Sequence, residues 1–316
     1  MLDAYGRAIT YLRISVTDRC NLRCAYCMPP EGVDKQDHGD ILTFEEIEEI
    51  AHAAVDLGVK KIRVTGGEPL VRRGIVDLCR RLGRIGGVED LSMTTNATLL
   101  PGLARELYQA GIHRINISLD TLDGEKYRTI TRLGSLEDAL AGLRAAAEVG
   151  MSPIKVNTVL IGGFNDDEIP ALVDLTRRYP VELRFIELMP MGHTAPFGPE
   201  AYLPSQVVLD RVPQLRRVGE SGVAALYRLP EAAGRVGLIS PLSRHFCGRC
   251  DRLRLTADGK LKPCLHSGEE IPLRGLHGAA LREALMEAVR CKPAQHAPLS
   301  WSERSGAGRD MNEIGG

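Results

Sequence analysis

The chain has 316 residues, enough for two domains or one large α/β barrel, and long enough to bury a core without disulfides. Lys and Arg number 40 against 41 Asp and Glu, a formal net charge of −1, which excludes a globally basic nucleic-acid binder and an acidic solvating protein. Aromatic residues make up 4% with one tryptophan, Trp301, too few for a surface that stacks many unpaired bases.

Short β-rich runs are predicted at 12–16, 61–65, 90–95, 114–119, 154–160 and 182–188. Amphipathic segments at 43–57, 70–82, 101–110, 135–149 and 166–179 lie between them. Thr43 and Glu46 have capping-box spacing, and Gly58 and Gly150 stand where a helix end favours glycine. Strands alternating with helices indicate right-handed βαβ units and a parallel sheet. Six such units predict an α/β fold, a partial (β/α)6-type barrel, with its site at the C-terminal strand ends. The pattern changes near residue 195, where 193–204 reads as a loop. A helix at 205–212, β-like runs at 224–229, 236–240 and 253–256, and a helix at 278–289 follow, an α+β extension. The tail 305–316 is predicted to be mobile in isolation. The expected division is therefore 1–195, the barrel, and 196–316, the extension and tail. No run approaches the ~18 apolar residues of a membrane span, and the first residues lack a secretory leader. Both point to the cytoplasm, where the 8 cysteines would be reduced.

Six cysteines fall in two sets of three. Cys20, Cys24 and Cys27 form C-x3-C-x2-C directly after the first strand. Three thiolates are one short of a closed tetrahedral site and would leave one iron of a [4Fe–4S] cluster open to an outside ligand. Zinc with a distant fourth ligand is the alternative. Cys247, Cys250 and Cys264 form C-x2-C-x13-C, which suits a second open cluster or zinc completed by His245 or His266. On the residues alone, a zinc-stabilised nucleotide- or RNA-binding protein stays open beside a cluster enzyme. Cys79 reads as a buried small hydrophobe, and Cys291 carries no signal.

The run RISVTDRCNLRCAYCMP (13–29) resembles the signature of radical S-adenosylmethionine (SAM) enzymes. With TGGEP (65–69), TTN (94–96), NISLD (116–120), IKVN (154–157), RFIELMPMG (184–192), CGRCDRLRLTADGKLKPCL (247–265) and the Gly315–Gly316 end, the chain is most similar to the molybdenum cofactor biosynthesis protein A family, the GTP 3′,8-cyclases. One departure is Ala97, where relatives often have glycine. The resemblance implies two [4Fe–4S] clusters and SAM as cofactors. Cys20, Cys24 and Cys27 would hold the cluster that binds SAM, and Cys247, Cys250 and Cys264, in the extension, the cluster that meets the guanine base. It implies SAM contacts at Tyr26, Gly66, Gly67, Glu68, Asn96, Ser118 and Met189, the two glycines letting backbone approach the cofactor. It implies GTP contacts at Arg13, Arg63, Thr94, Lys155, Arg252, Leu253 and Arg254, the cations gripping the triphosphate, so that a near-zero net charge hides a locally positive cavity. Arg252, Arg254, Gly315 and Gly316 would be catalytic, the Gly-Gly end threading into the site, with Arg309 adding a charge there.

The implied reaction converts GTP to (8S)-3′,8-cyclo-7,8-dihydroguanosine 5′-triphosphate. A 5′-deoxyadenosyl radical takes hydrogen from ribose C3′, C3′ attacks C8, and an electron and a proton complete the product. The implied partners are an electron donor such as flavodoxin or ferredoxin, cyclic pyranopterin monophosphate synthase downstream, and a second copy of the chain as homodimer, with no nucleic acid and no membrane. A peptide-modifying radical SAM enzyme with an auxiliary cluster is the alternative, although such enzymes usually carry more C-terminal cysteines.

Overall fold

The computed structural model describes residues 1–33, 39–192 and 197–315. Six strands, β1 (Tyr11–Ser15), β2 (Lys61–Thr65), β3 (Asp90–Thr95), β4 (Arg114–Ser118), β5 (Ile154–Leu160) and β6 (Glu182–Glu187), pair in chain order, all parallel. The crossovers carry α1 (Phe44–Asp56), α2 (Ile75–Gly83), α3 (Ala104–Gln109), α4 (Gly124–Thr131), α5 (Leu136–Glu148) and α6 (Ile169–Arg178).

Local signals account for the helix ends. The Glu46 amide donates to Thr43 Oγ1 at 3.1 Å and the Thr43 amide to Glu46 Oε2 at 2.7 Å, the reciprocal capping box. Gly58 follows the end of α1 at φ 107°, a left-handed value that glycine takes without a Cβ clash. The segment expected at 70–82 is broken by Gly74, which stands at the α2 N-cap at φ 82°, so a 3-10 turn Pro69–Val71 precedes the helix. Helix α4 does not appear among the sequence expectations. It is short and polar, and Asp123 Oδ1 caps it by accepting from the Glu125 and Lys126 amides.

The C-terminal part does not form a separate layer. After α7 (Val207–Arg211), strands β7 (Arg216–Ser221), β8 (Ala224–Arg228) and β9 (Arg235–Ile239) build outward from one edge, β9 pairing parallel with β6. Then β10 (Arg252–Leu255) pairs parallel with β1 at the opposite edge, followed by antiparallel β11 (Lys260–Lys262) and β12 (Ile271–Pro272), and α8 (Gly278–Arg290). The described residues thus form one open twelve-stranded sheet with eight parallel strands at its centre.

Alternation along the strands separates two faces. Leu12, Ile14, Ile62, Val64, Met93, Ile117 and Phe185 pack with the helices in one continuous core. The other face carries Arg13, Arg63, Ser92, Asn116, Lys155 and Arg184. Residues from β1 through β6 and from β10 all line one cavity of about 670 Å³, so the sheet curves round it as a partial barrel.

Candidate active site

The first thiol triad sits in the loop after β1. A turn places the Cys27 and Met28 amides on Cys24 O at 2.9 and 3.2 Å. The C-terminal end of α4 pins this loop: the Arg23 and Ala25 amides donate to Thr131 O and Ile130 O, and Arg132 Nη1 donates to Arg23 O and Met28 O. Tyr26, between two of the cysteines, donates its hydroxyl to Asp120 Oδ2 at 2.6 Å. Burial pushes the Asp120 carboxyl up to about 6, against the opposing hydrogen bonds from Tyr26 and the Val159 amide. Burial raises the Cys20 thiol to about 11, and raises Cys24 and Cys27 further with the help of the neighbouring sulfurs. Three half-buried thiols close enough to oppose one another's ionisation are a donor set that a cationic cluster would stabilise as thiolates.

The Gly-Gly-Glu turn is fitted to the same loop. A Cβ on Gly67 would lie 2.6 Å from Asp18 O, and one on Gly66 2.6 Å from Thr17 O. Glycine is required here because the two backbones touch, the Gly67 amide donating to Thr17 O and the Glu68 amide to Arg19 O, each at 2.8 Å. Glu68 does not reach the cavity. Its fully buried carboxylate accepts from the amides of Leu70 and Asn96 and from Thr95 Oγ1, so it fixes the end of β3. Asn96 in turn donates to Asn21 Oδ1 at 2.9 Å and lies 3.8 Å from the Cys20 sulfur.

Register brings the cations together. Arg13 lies beside Arg254 on one side and Arg63 on the other, and Asn116 beside Lys155. Burial, then Arg254, holds the Arg13 guanidinium well below its ordinary value; burial, then Arg252, lowers Arg254 to about 10 against the opposing pull of Cys250, Cys264 and Tyr11. Burial, then Arg184, lowers Lys155 to about 8, although Glu182 stands 3.5 Å away. Arg63 gives its Nε to Ser92 Oγ and Arg254 its Nη1 to the Gly315 and Ile314 carbonyls, neutral oxygens that leave both charges uncompensated by those bonds. Several cations buried this close are costly unless a polyanion joins them.

The second triad stands at the other end of the strands: Cys250 precedes β10, whose start pairs with the start of β1, whereas the first triad follows the end of β1. Cys247 and Cys250 bracket a 3-10 turn before β10, and Cys264 follows β11. Burial pushes the Cys250 thiol up, but Lys292 and Arg252 more than offset it and leave the thiol below its usual value. His266 and His245, the alternative zinc ligands, instead stack against His296 at 4.6 and 5.0 Å, and His266 Nδ1 lies 3.0 Å from Ser305 Oγ. Among the described residues no three His, Cys, Asp or Glu side chains close round a point as a single-ion site would. All six cysteines line the one cavity, which suits two clusters facing a common chamber.

Of the expected contacts, Arg13, Arg63, Thr94, Lys155, Arg252 and Arg254 line that chamber, as do Tyr26, Gly66, Gly67, Asn96, Ser118 and Met189. Leu253 does not: alternation turns its side chain into the helix-facing core, where it is 1% exposed. Nor is the tail loose. Asn312 Nδ2 donates to Asp18 O, Ile314 is buried, and Gly315 lies against Thr65 and Ser15 while its carbonyl accepts from Arg254 at 2.5 Å. Gly316 and part of the 193–204 loop lie outside the described residues. Arg114, Arg184 and Asp120 are chamber residues absent from the sequence expectations. Strand parity was the available signal, since Arg114 lies two residues before Asn116, and Arg184 is in register with Asn157.

The fold and the paired thiol triads define a radical SAM enzyme. Residues 14–176 match the Radical SAM superfamily and 181–298 match Molybdenum Cofactor Synthesis C. Three similar proteins are called GTP 3′,8-cyclase. That of Peptoclostridium acidaminophilum is 52% identical over 100% of this chain and 98% of its own, and that of Pelotomaculum thermopropionicum 49% identical over 100% of both. That of Alkaliphilus oremlandii is 47% identical, also over 100% of both. The chain belongs to the GTP 3′,8-cyclases, radical SAM enzymes of molybdenum cofactor biosynthesis that use SAM and [4Fe–4S] clusters. The crystal structure of Streptococcus suis SuiB shares the fold, with a TM-score of 0.63 at 16% identity over 91% of this chain and 67% of that one.

Proposed function

We propose that the chamber performs the family reaction on GTP with the residues gathered in it. In this assignment Cys20, Cys24 and Cys27 hold one [4Fe–4S] cluster and Cys247, Cys250 and Cys264 the other. With SAM bound, the first cluster supplies a 5′-deoxyadenosyl radical able to take hydrogen from ribose C3′.

The chain's own residues do the positioning. Asn96, braced by Glu68 and Asn21, and Tyr26, held by Asp120, form the polar wall for SAM together with Gly66, Gly67, Ser118 and Met189. Arg13, Arg63, Lys155 and Arg254, with Thr94, grip the triphosphate, and bidentate guanidinium contacts fix its orientation as well as its charge. Leu253 takes part only through backbone. Arg252 and Arg254, at the second triad, are the groups placed to deliver the proton that completes the product after C3′ bonds to C8. Gly315, whose carbonyl meets Arg254, closes the chamber from the tail side and excludes water.

Further parts of the assignment rest on chemistry. The product needs one electron beyond that spent on SAM, which a low-potential carrier such as flavodoxin or ferredoxin would supply. The product would pass to cyclic pyranopterin monophosphate synthase. The enzyme is assigned to the cytoplasm as a homodimer without nucleic-acid or membrane partners; among the described residues no helix is long and apolar enough to cross a membrane. Residues 1–195 are assigned the SAM half of the chemistry and 196–316 the substrate cluster and tail.

The carrying observation is that both triads and the cation set face one chamber. The test is the anaerobic yield of 5′-deoxyadenosine with and without GTP. A GTP-dependent yield, lost in Cys24→Ser, is the expected outcome. Undiminished cleavage in that variant removes the first-cluster assignment, and a yield indifferent to GTP but raised by peptide favours the peptide-modifying alternative.

A further inference from the structure

The thiols of the second triad come from two separate segments, and a third segment, residues 292–294 after α8, ties to both. Lys292 Nζ donates to Arg252 O at 2.8 Å and to Pro263 O at 2.7 Å, carbonyls close in sequence to Cys250 and Cys264. Its charge also favours the thiolate form of the Cys250 sulfur. Arg7, from the start of the chain, completes the brace. Its Nη1 donates to Cys247 O at 2.8 Å and Ala294 O at 2.9 Å, and its Nη2 to Pro293 O at 2.6 Å.

The two cations differ in their compensation. Arg7 is matched by the buried Asp3 carboxylate at 2.6 Å. Lys292 is equally buried, 3% exposed, yet among the described residues no carboxylate pairs with it. An ammonium surrounded only by neutral carbonyls is costly to bury. The groups near it able to carry negative charge are thiols of the second triad, Cys250 first among them.

We propose that Lys292 is a positioning residue for the second cluster: its ammonium holds the Cys250 thiolate and the flanking carbonyls in place, and its unmatched positive charge raises the reduction potential of the cluster these residues ligate. Arg7 fixes Cys247 in the same frame without adding net charge. A nearby cation favours the more negative, reduced form of a cluster, and charge and hydrogen bonds at the sulfurs are among the main determinants of cluster potential. The inference rests on the two-cluster reading.

The experiment compares wild-type, Lys292→Met and Lys292→Arg holoenzymes by iron content and by redox titration followed with electron paramagnetic resonance. Wild type is expected to hold about eight iron ions per chain, two [4Fe–4S] clusters. Lys292→Met, which keeps the length and removes the charge, is expected to shift the second cluster to lower potential and leave the first unmoved. Lys292→Arg is expected to stay with the wild type. If Lys292→Met instead loses the second cluster, its retention in Lys292→Arg supports the charge, and equal loss in both overturns it. A full complement of iron with an unmoved potential in Lys292→Met, or the same shift in both variants, overturns the inference alone. A wild type with about four iron ions overturns the two-cluster reading beneath it.

Discussion

Ala97 follows the TTN strand end at φ 65°, a left-handed conformation that L-residues adopt at a cost of roughly 1–2 kcal/mol and glycine does not. The backbone shows why glycine would suit this position. Ala97→Gly is expected to keep SAM cleavage and to stabilise the holoenzyme by up to about 1 kcal/mol, read as a raised denaturant midpoint; an unchanged or lowered midpoint would mean that the buried methyl outweighs the strain. Lys155 carries the pH prediction. Burial and Arg184 bring its ammonium down to about 8, so the free enzyme loses this charge as pH rises through 8. The triphosphate binds the charged form, so GTP affinity should weaken above pH 8, by up to about tenfold per pH unit. Lys155→Arg keeps its charge throughout and should flatten that limb. Titration calorimetry between pH 7 and 9.5 decides it, and a limb of the same slope in the variant takes Lys155 off the triphosphate.

The tail docks as the resemblance implies, but Arg309 adds its charge outside the chamber, a placement that composition does not announce. Arg309 Nε and Nη2 donate to both oxygens of Glu270 at 2.6 and 2.9 Å, and Nη2 to Asp258 Oδ2 at 2.7 Å, clasping 305–315 to the β11–β12 flank. Charged hydrogen bonds of this kind contribute about 1.5–3 kcal/mol, so Arg309→Ala should lower the docked population by roughly tenfold or more. Limited proteolysis of the tail should quicken accordingly, with product yield falling, whereas wild-type digestion kinetics would show that Asn312 and Ile314 suffice to hold it. What was legible follows the reach of the signals. The six central strands and α1 show through periodicity and capping, which are local. Helix α4 was missed because a short polar segment lacks an apolar stripe, yet its last carbonyls position the cysteine loop. Strand β7, exposed throughout its first five residues, shows no alternation to read. The cysteine sets were legible from spacing. Leu253 and Glu68 were misplaced because a motif names residues without saying which face of the strand each side chain takes.

At the scale of the whole molecule, the division near residue 195 marks a change of pattern but not of sheet. Strand β9 closes the edge of β6, and β10 closes the edge of β1 with Leu253 and Leu255 in the shared core. These pairings span more than 200 residues between β1 and β10, so no local signal could announce them. Cutting the chain at 195 would strip both edges of the parallel sheet, leaving unpaired backbone beside uncovered apolar surface. Residues 1–195 alone are therefore expected to aggregate or to remain loosely packed, and to fail to hold the first cluster although all three of its cysteines are present. Size-exclusion chromatography with near-ultraviolet circular dichroism and an iron count on the fragment tests this. A monodisperse fragment with about four iron ions and native aromatic signals would show that the barrel half is complete without its flanking strands. On the physical argument it is not, because the strand that carries Arg252 and Arg254 into the chamber is also the strand that covers β1. The substrate side of the site and the stability of the SAM side thus depend on the same four residues.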